Sequence, residues 1–92
     1  MERGRILIVE DEASVADALV YALESEGFAP TWVDTAVAGM DALHADSYAA
    51  CILDIGLPDG SGFDLCRRIR ELYELPILFL SAKNEERDIV AG

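Results

Sequence analysis

The stretch Ala50-Cys51-Ile52-Leu53-Asp54-Ile55-Gly56-Leu57-Pro58-Asp59-Gly60 decides the fold class. A short apolar run ends in a single carboxylate, and a turn-rich loop follows at once. Such a run reads as a strand buried on both faces, the kind that parallel sheets contain. In open α/β sheets ligands bind at the carboxyl ends of the strands. The strand therefore delivers Asp54 to the place where chemistry is done. Upstream, Ile6-Leu7-Ile8-Val9 runs into Glu10-Asp11-Glu12 in the same way. Two apolar strands ending in acids suggest one acidic pocket that holds a hard divalent cation. Mg²⁺ favours a few carboxylates together with waters and phosphate oxygens.

Working outward, the chain alternates strands with helices. Residues 5–10 read as a strand. Residues 13–26 show helical spacing, with Val15, Leu19, Ala22 and Leu23 on one face and Gly27 as the stop. Residues 29–33 form a short second strand whose Pro30 suits a sheet edge. Thr35 can cap a helix that runs to about His44 and is weakened by Gly39. After the strand 49–54, residues 57–61 make a turn rich in Pro, Asp and Gly. A third helix spans residues 62–73, with Leu65, Cys66, Ile69 and Leu72 facing inward. Ile77–Leu80 is the fourth strand, and Asn84 caps a helix that begins Glu85-Glu86-Arg87 and runs to Gly92. Alternation of this kind predicts an α/β fold with a parallel, flavodoxin-like sheet in which strands 1 and 3 are neighbours. That order sets Asp11 beside Asp54, as a shared metal site demands.

Composition bounds the function. Ninety-two residues allow one domain, 1–92, and an apolar share of 52% is ample for a packed core. No apolar run is long enough to span a membrane, and no secretory segment opens the chain, so it reads as cytoplasmic without a membrane partner. A net charge of −11 argues against direct nucleic-acid binding, since phosphate contacts need Lys and Arg. Arg67, Arg68 and Arg70 fall on one helix and read as a solvated or partner-facing surface. Cys51 and Cys66 read as two buried thiols. Pro58 and Gly62 shape the loop after Asp54 through backbone geometry, and Trp32 and Tyr48 read as packing or surface aromatics. Glu12 reads as a charge at a helix start, outside the site.

Three segments carry a family resemblance: Ile6-Leu-Ile-Val-Glu-Asp-Glu12, then Leu53-Asp-Ile-Gly-Leu-Pro-Asp-Gly-Ser-Gly-Phe63, then Pro76-Ile-Leu-Phe-Leu-Ser-Ala82. Together, in order and over nearly the whole chain, they resemble the receiver domain of bacterial two-component response regulators. The likeness is greatest to the class that joins a receiver to a winged-helix DNA-binding domain. The resemblance implies a signalling domain, not an enzyme, with Asp54 as the phosphoacceptor. It implies Mg²⁺ held by Asp11, Asp54 and the Gly56 backbone carbonyl, with Glu10 acting through a water. It also implies that the Ser81 hydroxyl and the Ala82 amide contact the phosphoryl group. The partners implied are a sensor histidine kinase and an output domain of the same protein.

Receivers also have a fifth strand, ending in a Lys-Pro pair, and a fifth helix. Neither is found here, because the only lysine is Lys83. The expected sheet is therefore CheY-like in the order 2-1-3-4, as in a receiver cut inside its fourth helix. The fourth strand is then expected to lie as an open edge, which invites self-association. Without the lysine, Mg²⁺ binding is expected to be weak and phosphate acceptance slow; the resemblance separately implies slow autodephosphorylation. Other readings of the same nucleophile fit less well. An aspartate-based phosphatase of the haloacid dehalogenase type wants a second Asp where Gly56 stands. A flavodoxin-like cofactor binder wants a phosphate loop where Glu10-Asp11-Glu12 would repel an anion. A receiver-fold interaction module that works without phosphorylation is the remaining alternative.

Overall fold

The computed structural model describes residues 3–80 and the strand Ile89–Ala91. The elements are β1 (Arg5–Val9), α1 (Ala13–Ser25), β2 (Ala29–Val33), α2 (Ala36–Ala45), β3 (Ala50–Asp54), β4 (Gly56–Leu57), β5 (Gly60–Ser61), α3 (Gly62–Leu72), β6 (Ile77–Leu80) and β7 (Ile89–Ala91). The main sheet has the order β2-β1-β3-β6-β7. Its first four strands are parallel, with Ile6 opposite Ala50 and Cys51 opposite Ile77. The expected 2-1-3-4 order holds, with β6 as the fourth strand. Pro30 sits on the edge strand β2, where its missing N–H costs no ladder bond.

The period of two along each strand builds two cores. Leu7 and Val9, Cys51 and Leu53, Ile77 and Phe79 face one way, against Met40 and Leu43 of α2 and Leu65, Cys66 and Ile69 of α3. Ile6, Ile8, Ile52 and Leu80 face the other way, against Val15, Leu19, Val20 and Leu23 of α1. Strands buried on both faces explain why their sequences are continuously apolar. No helix among the described residues is long and apolar enough to cross a membrane.

Helix α1 ends in a Schellman motif. Phe28 N–H bonds Leu23 C=O at 2.9 Å and Gly27 N–H bonds Glu24 C=O at 3.1 Å. Gly27 takes φ 91°, the left-handed value that a glycine adopts without Cβ strain. Two inward positions need correction. On α1 the buried residue is Ala16, whereas Ala22 is exposed. At 100° per residue, 16, 19, 20 and 23 share the sheet-facing stripe and 22 falls beside it. On α3, Leu72 is exposed and Tyr73, just past the helix end, packs against the core instead.

The C-terminal expectation also changes. Ile89–Ala91 is a strand, antiparallel to β6, with Leu78 opposite Ala91 and Leu80 opposite Ile89. A helix through residues 85–92 is thus wrong at 89–91; Asn84 and the residues it was expected to cap lie outside the described residues. Ile89 and Val90 are β-branched, and the free edge of a parallel strand offers them a full hydrogen-bonding ladder. The fourth strand is consequently not an open edge, which removes the stated reason for self-association there.

Candidate metal and phosphoacceptor site

Strands β1 and β3 are adjacent, so their carboxyl ends open side by side. Glu10 follows β1 directly and is fully buried, at 0% exposure; Asp54 ends β3 at 3%. Asp11 lies beside them at the surface. One carboxylate oxygen from each of these three residues lies within 4.8 Å of the others. Like charges that close destabilise one another unless a cation joins them or protons neutralise them. Three hard oxygen donors, two of them buried and one open to solvent, fit a Mg²⁺ ion that keeps some of its waters. Glu12 stays outside the cluster; its backbone N–H donates to Glu10 Oε2 at 2.8 Å and fixes that carboxylate.

The loop after Asp54 is folded back on itself. Gly56 pairs with Ser61, and Leu57 with Gly60, in the small antiparallel β4–β5 ladder. Gly62 N–H donates to Ile55 C=O at 2.7 Å. A Cβ on Gly62 would lie 2.1 Å from the Asp54 carbonyl oxygen, so only glycine fits there. Gly56 is exposed, and a Cβ on it would meet nothing within 4 Å. Ser61 then caps α3, its hydroxyl accepting from Phe63 N–H at 3.1 Å. Ser81 and Ala82 lie outside the described residues. Gly56 stands two residues after Asp54, at the mouth of the loop.

Two residues near the site were not singled out by sequence. Trp32, read there as a packing or surface aromatic, donates its indole N–H to the Glu10 C=O at 2.6 Å. Asp59, at the tip of the loop, accepts from Ala36 N–H at 2.7 Å and Val37 N–H at 3.1 Å. The Ala36 bond, with that of Val37 behind it, holds the Asp59 carboxyl below its ordinary value. Both contacts join residues 22 or 23 positions apart, and no local pattern announces them.

A parallel sheet with acids gathered at the neighbouring ends of strands 1 and 3 defines a class of α/β proteins built around an acidic switch-point pocket. Within that class, residues 6–92 match the response regulator receiver domain, and the chain belongs to that family. It is 44% identical over 93 residues to the transcriptional regulatory protein CreB of Escherichia coli, covering 100% of this chain and 41% of that protein. The chain thus spans about two fifths of the curated relatives it matches. Among solved structures, response regulator TrrA of Thermotoga maritima in complex with Mg²⁺–BeF superposes with a TM-score of 0.83 at 28% identity, over 91% of this chain and 72% of that one. TrrA in complex with the histidine kinase ThkA superposes with a TM-score of 0.82 at 28% identity, over 96% and 75%.

Proposed function

We propose that this chain is a phosphoacceptor module in which Asp54 takes a phosphoryl group from the histidine of a sensor kinase. The observation that carries this reading is the convergence of Glu10, Asp11 and Asp54 at one sheet end, with two of the three buried. In this reading Asp11, Asp54 and the Gly56 carbonyl hold Mg²⁺, and Glu10 orients a water. The ion's chemistry there is to neutralise charge on phosphoryl oxygens. An Asp54 carboxylate oxygen attacks phosphorus, the bond from phosphorus to the donor breaks, and the acceptor becomes an aspartyl phosphate. Ser81 and the Ala82 amide are assigned to the phosphoryl oxygens by resemblance.

Support for the donor and the ion comes from TrrA, which is known in complex with a histidine kinase and with Mg²⁺–BeF. The transcriptional relatives support an output domain joined to the receiver in the whole protein; its winged-helix DNA-binding kind and its place in the cytoplasm are assigned by resemblance. Slow autodephosphorylation belongs to the same proposal. Self-association through the sheet would use β7, the outer strand on that side, and light scattering at micromolar concentration reads it.

Intact-mass spectrometry after incubation with acetyl phosphate and Mg²⁺ tests the reading. One phosphoryl increment is expected, lost with EDTA and lost in Asp54→Asn. No increment in this chain or in a longer one carrying the following strand and helix would sink it. An interaction module independent of phosphate would then be the better account.

A further inference from the structure

The contacts of Trp32 and Asp59 share an origin. Trp32 lies in β2, while Ala36 and Val37 begin α2, so one short segment reaches both loops that carry the acids. On the β1 side, the Trp32 indole N–H donates to the Glu10 carbonyl, and the Glu10 backbone N–H donates to Val33 C=O at 3.0 Å. On the β3 side, the first two amides of α2 bond the Asp59 carboxylate. Thr35 caps the same helix but serves only Ala38, with its hydroxyl at 3.1 Å. It leaves the donors of Ala36 and Val37 to other acceptors, as a helix start does with its first amides. Asp59, arriving from the loop after Asp54, completes the cap.

We infer that Asp59 is a positioning residue: by tying the loop after Asp54 to the start of α2, it sets where that loop stands against the acids on β1. This inference rests on the metal reading proposed above and deepens it. At its start the loop is anchored by Leu57, buried in the core with Ile55 packed against the same cluster. The tip is restrained less: the ladder is two residues long on each side, Gly60 carries no side chain to pack, and Asp59 itself is solvent-exposed. Freed from α2, the tip would pivot about the Gly62 N–H to Ile55 C=O bond. Gly56, the mouth residue assigned to the ion through its carbonyl, would move with it. Groups that orient a metal's ligands carry about 10–100-fold in affinity when removed.

The test compares wild type, Asp59→Ala and Asp59→Asn well below their unfolding temperatures. Mg²⁺ affinity is read by calorimetry, and exchange of the Gly62 amide by NMR. Asp59→Ala is expected to bind Mg²⁺ about 10-fold more weakly and to speed Gly62 exchange measurably. Asp59→Asn keeps one acceptor oxygen without the charge, and should recover about half of the loss on a logarithmic scale. Asn behaving like Ala in Mg²⁺ affinity would show that the charge acts, not the hydrogen bond, and would overturn the inference. Gly62 exchange unchanged in Asp59→Ala would overturn it too. Absence of any Mg²⁺ heat in the wild type would overturn the metal reading instead, and the Gly62 exchange would still decide whether Asp59 holds the loop.

Discussion

At the carboxyl end of the sheet, Glu10 and Asp54 are buried beside Asp11, three acids with oxygens within 4.8 Å of one another. At the amino end, Asp46 lies exposed, 3.3 Å from Arg5, whose guanidinium also stands 5.2 Å over the Tyr48 ring. That end also has an opening: a cleft of about 380 Å³ whose lining includes His44, Asp46, Tyr48 and Tyr73. Room alone does not mark the site. A carboxylate that can reach water or an arginine costs little and needs no function to explain it. Buried carboxylates crowded together oppose folding, and the cation proposed above would offset that cost by joining them.

The first way to break this comparison is at Gly62. Gly62→Ala would set a Cβ 2.1 Å from the Asp54 carbonyl oxygen, so the backbone of the loop after Asp54 must shift. A loss of about 3 kcal/mol in urea unfolding is expected, with Mg²⁺ binding lost as well. Gly56→Ala meets open space and should change stability by no more than about 0.5 kcal/mol. Equal effects at the two glycines would show that the loop is not pinned where the contacts place it.

Strand β3 contains the comparison in miniature, since Cys51 lies near its amino end and Asp54 at its carboxyl end. Burial, with the neighbouring Cys66 thiol adding to it, pushes Cys51 from about 9 up to about 12. A raised acid is protonated in the fold after it has ionised in the unfolded chain. Its contribution is therefore intact below pH 9 and declines as pH climbs toward 12, with a slope of up to about 1.4 kcal/mol per pH unit. Cys51→Ala should flatten that limb of the stability–pH curve, and an unchanged slope would refute the assignment. In the native protein at pH 7 both thiols should resist a thiol reagent.

Glu10 sharpens the contrast by sign. Glu10→Gln keeps an oxygen that can accept from Glu12 N–H while removing one of the crowded charges. In EDTA it should stabilise the protein by about 1 kcal/mol, as a substitution that relieves a functional site commonly does. Millimolar Mg²⁺ should narrow or reverse the difference, because a cation that binds the native state stabilises the wild type more. Destabilisation in EDTA would mean that the Glu10 charge serves the fold itself.

These residues also show what could be read before the structure. The apolar runs, Gly27, Pro30 and the acids at the strand ends carry local signals, and the sheet order and the cluster followed from them. Ile89 and Val90 misled because a sequence that starts like a helix says nothing of an available strand edge. Leu72 misled because periodicity does not say where a helix stops meeting the sheet. Asp59 and Trp32 were missed for a deeper reason: each bonds a backbone group more than twenty residues away, and only the assembled sheet brings the partners together.

The smallest effect belongs to the amino end. Asp46→Asn removes the charge facing Arg5 without altering shape, and the Arg5 guanidinium keeps its place over Tyr48. An exposed pair of this kind contributes little, because water and salt screen it. Asp46 also terminates α2, its N–H bonding Ala42 C=O at 3.1 Å, and an acid at a helix C-terminus opposes the helix dipole. The two small terms have opposite signs. The net change in unfolding free energy should stay within about 0.5 kcal/mol, and raising the salt should shrink it further. A loss well above that, insensitive to salt, would mean that the amino end holds its charges as tightly as the carboxyl end. The distinction between a solvated pair and a built site would then fail.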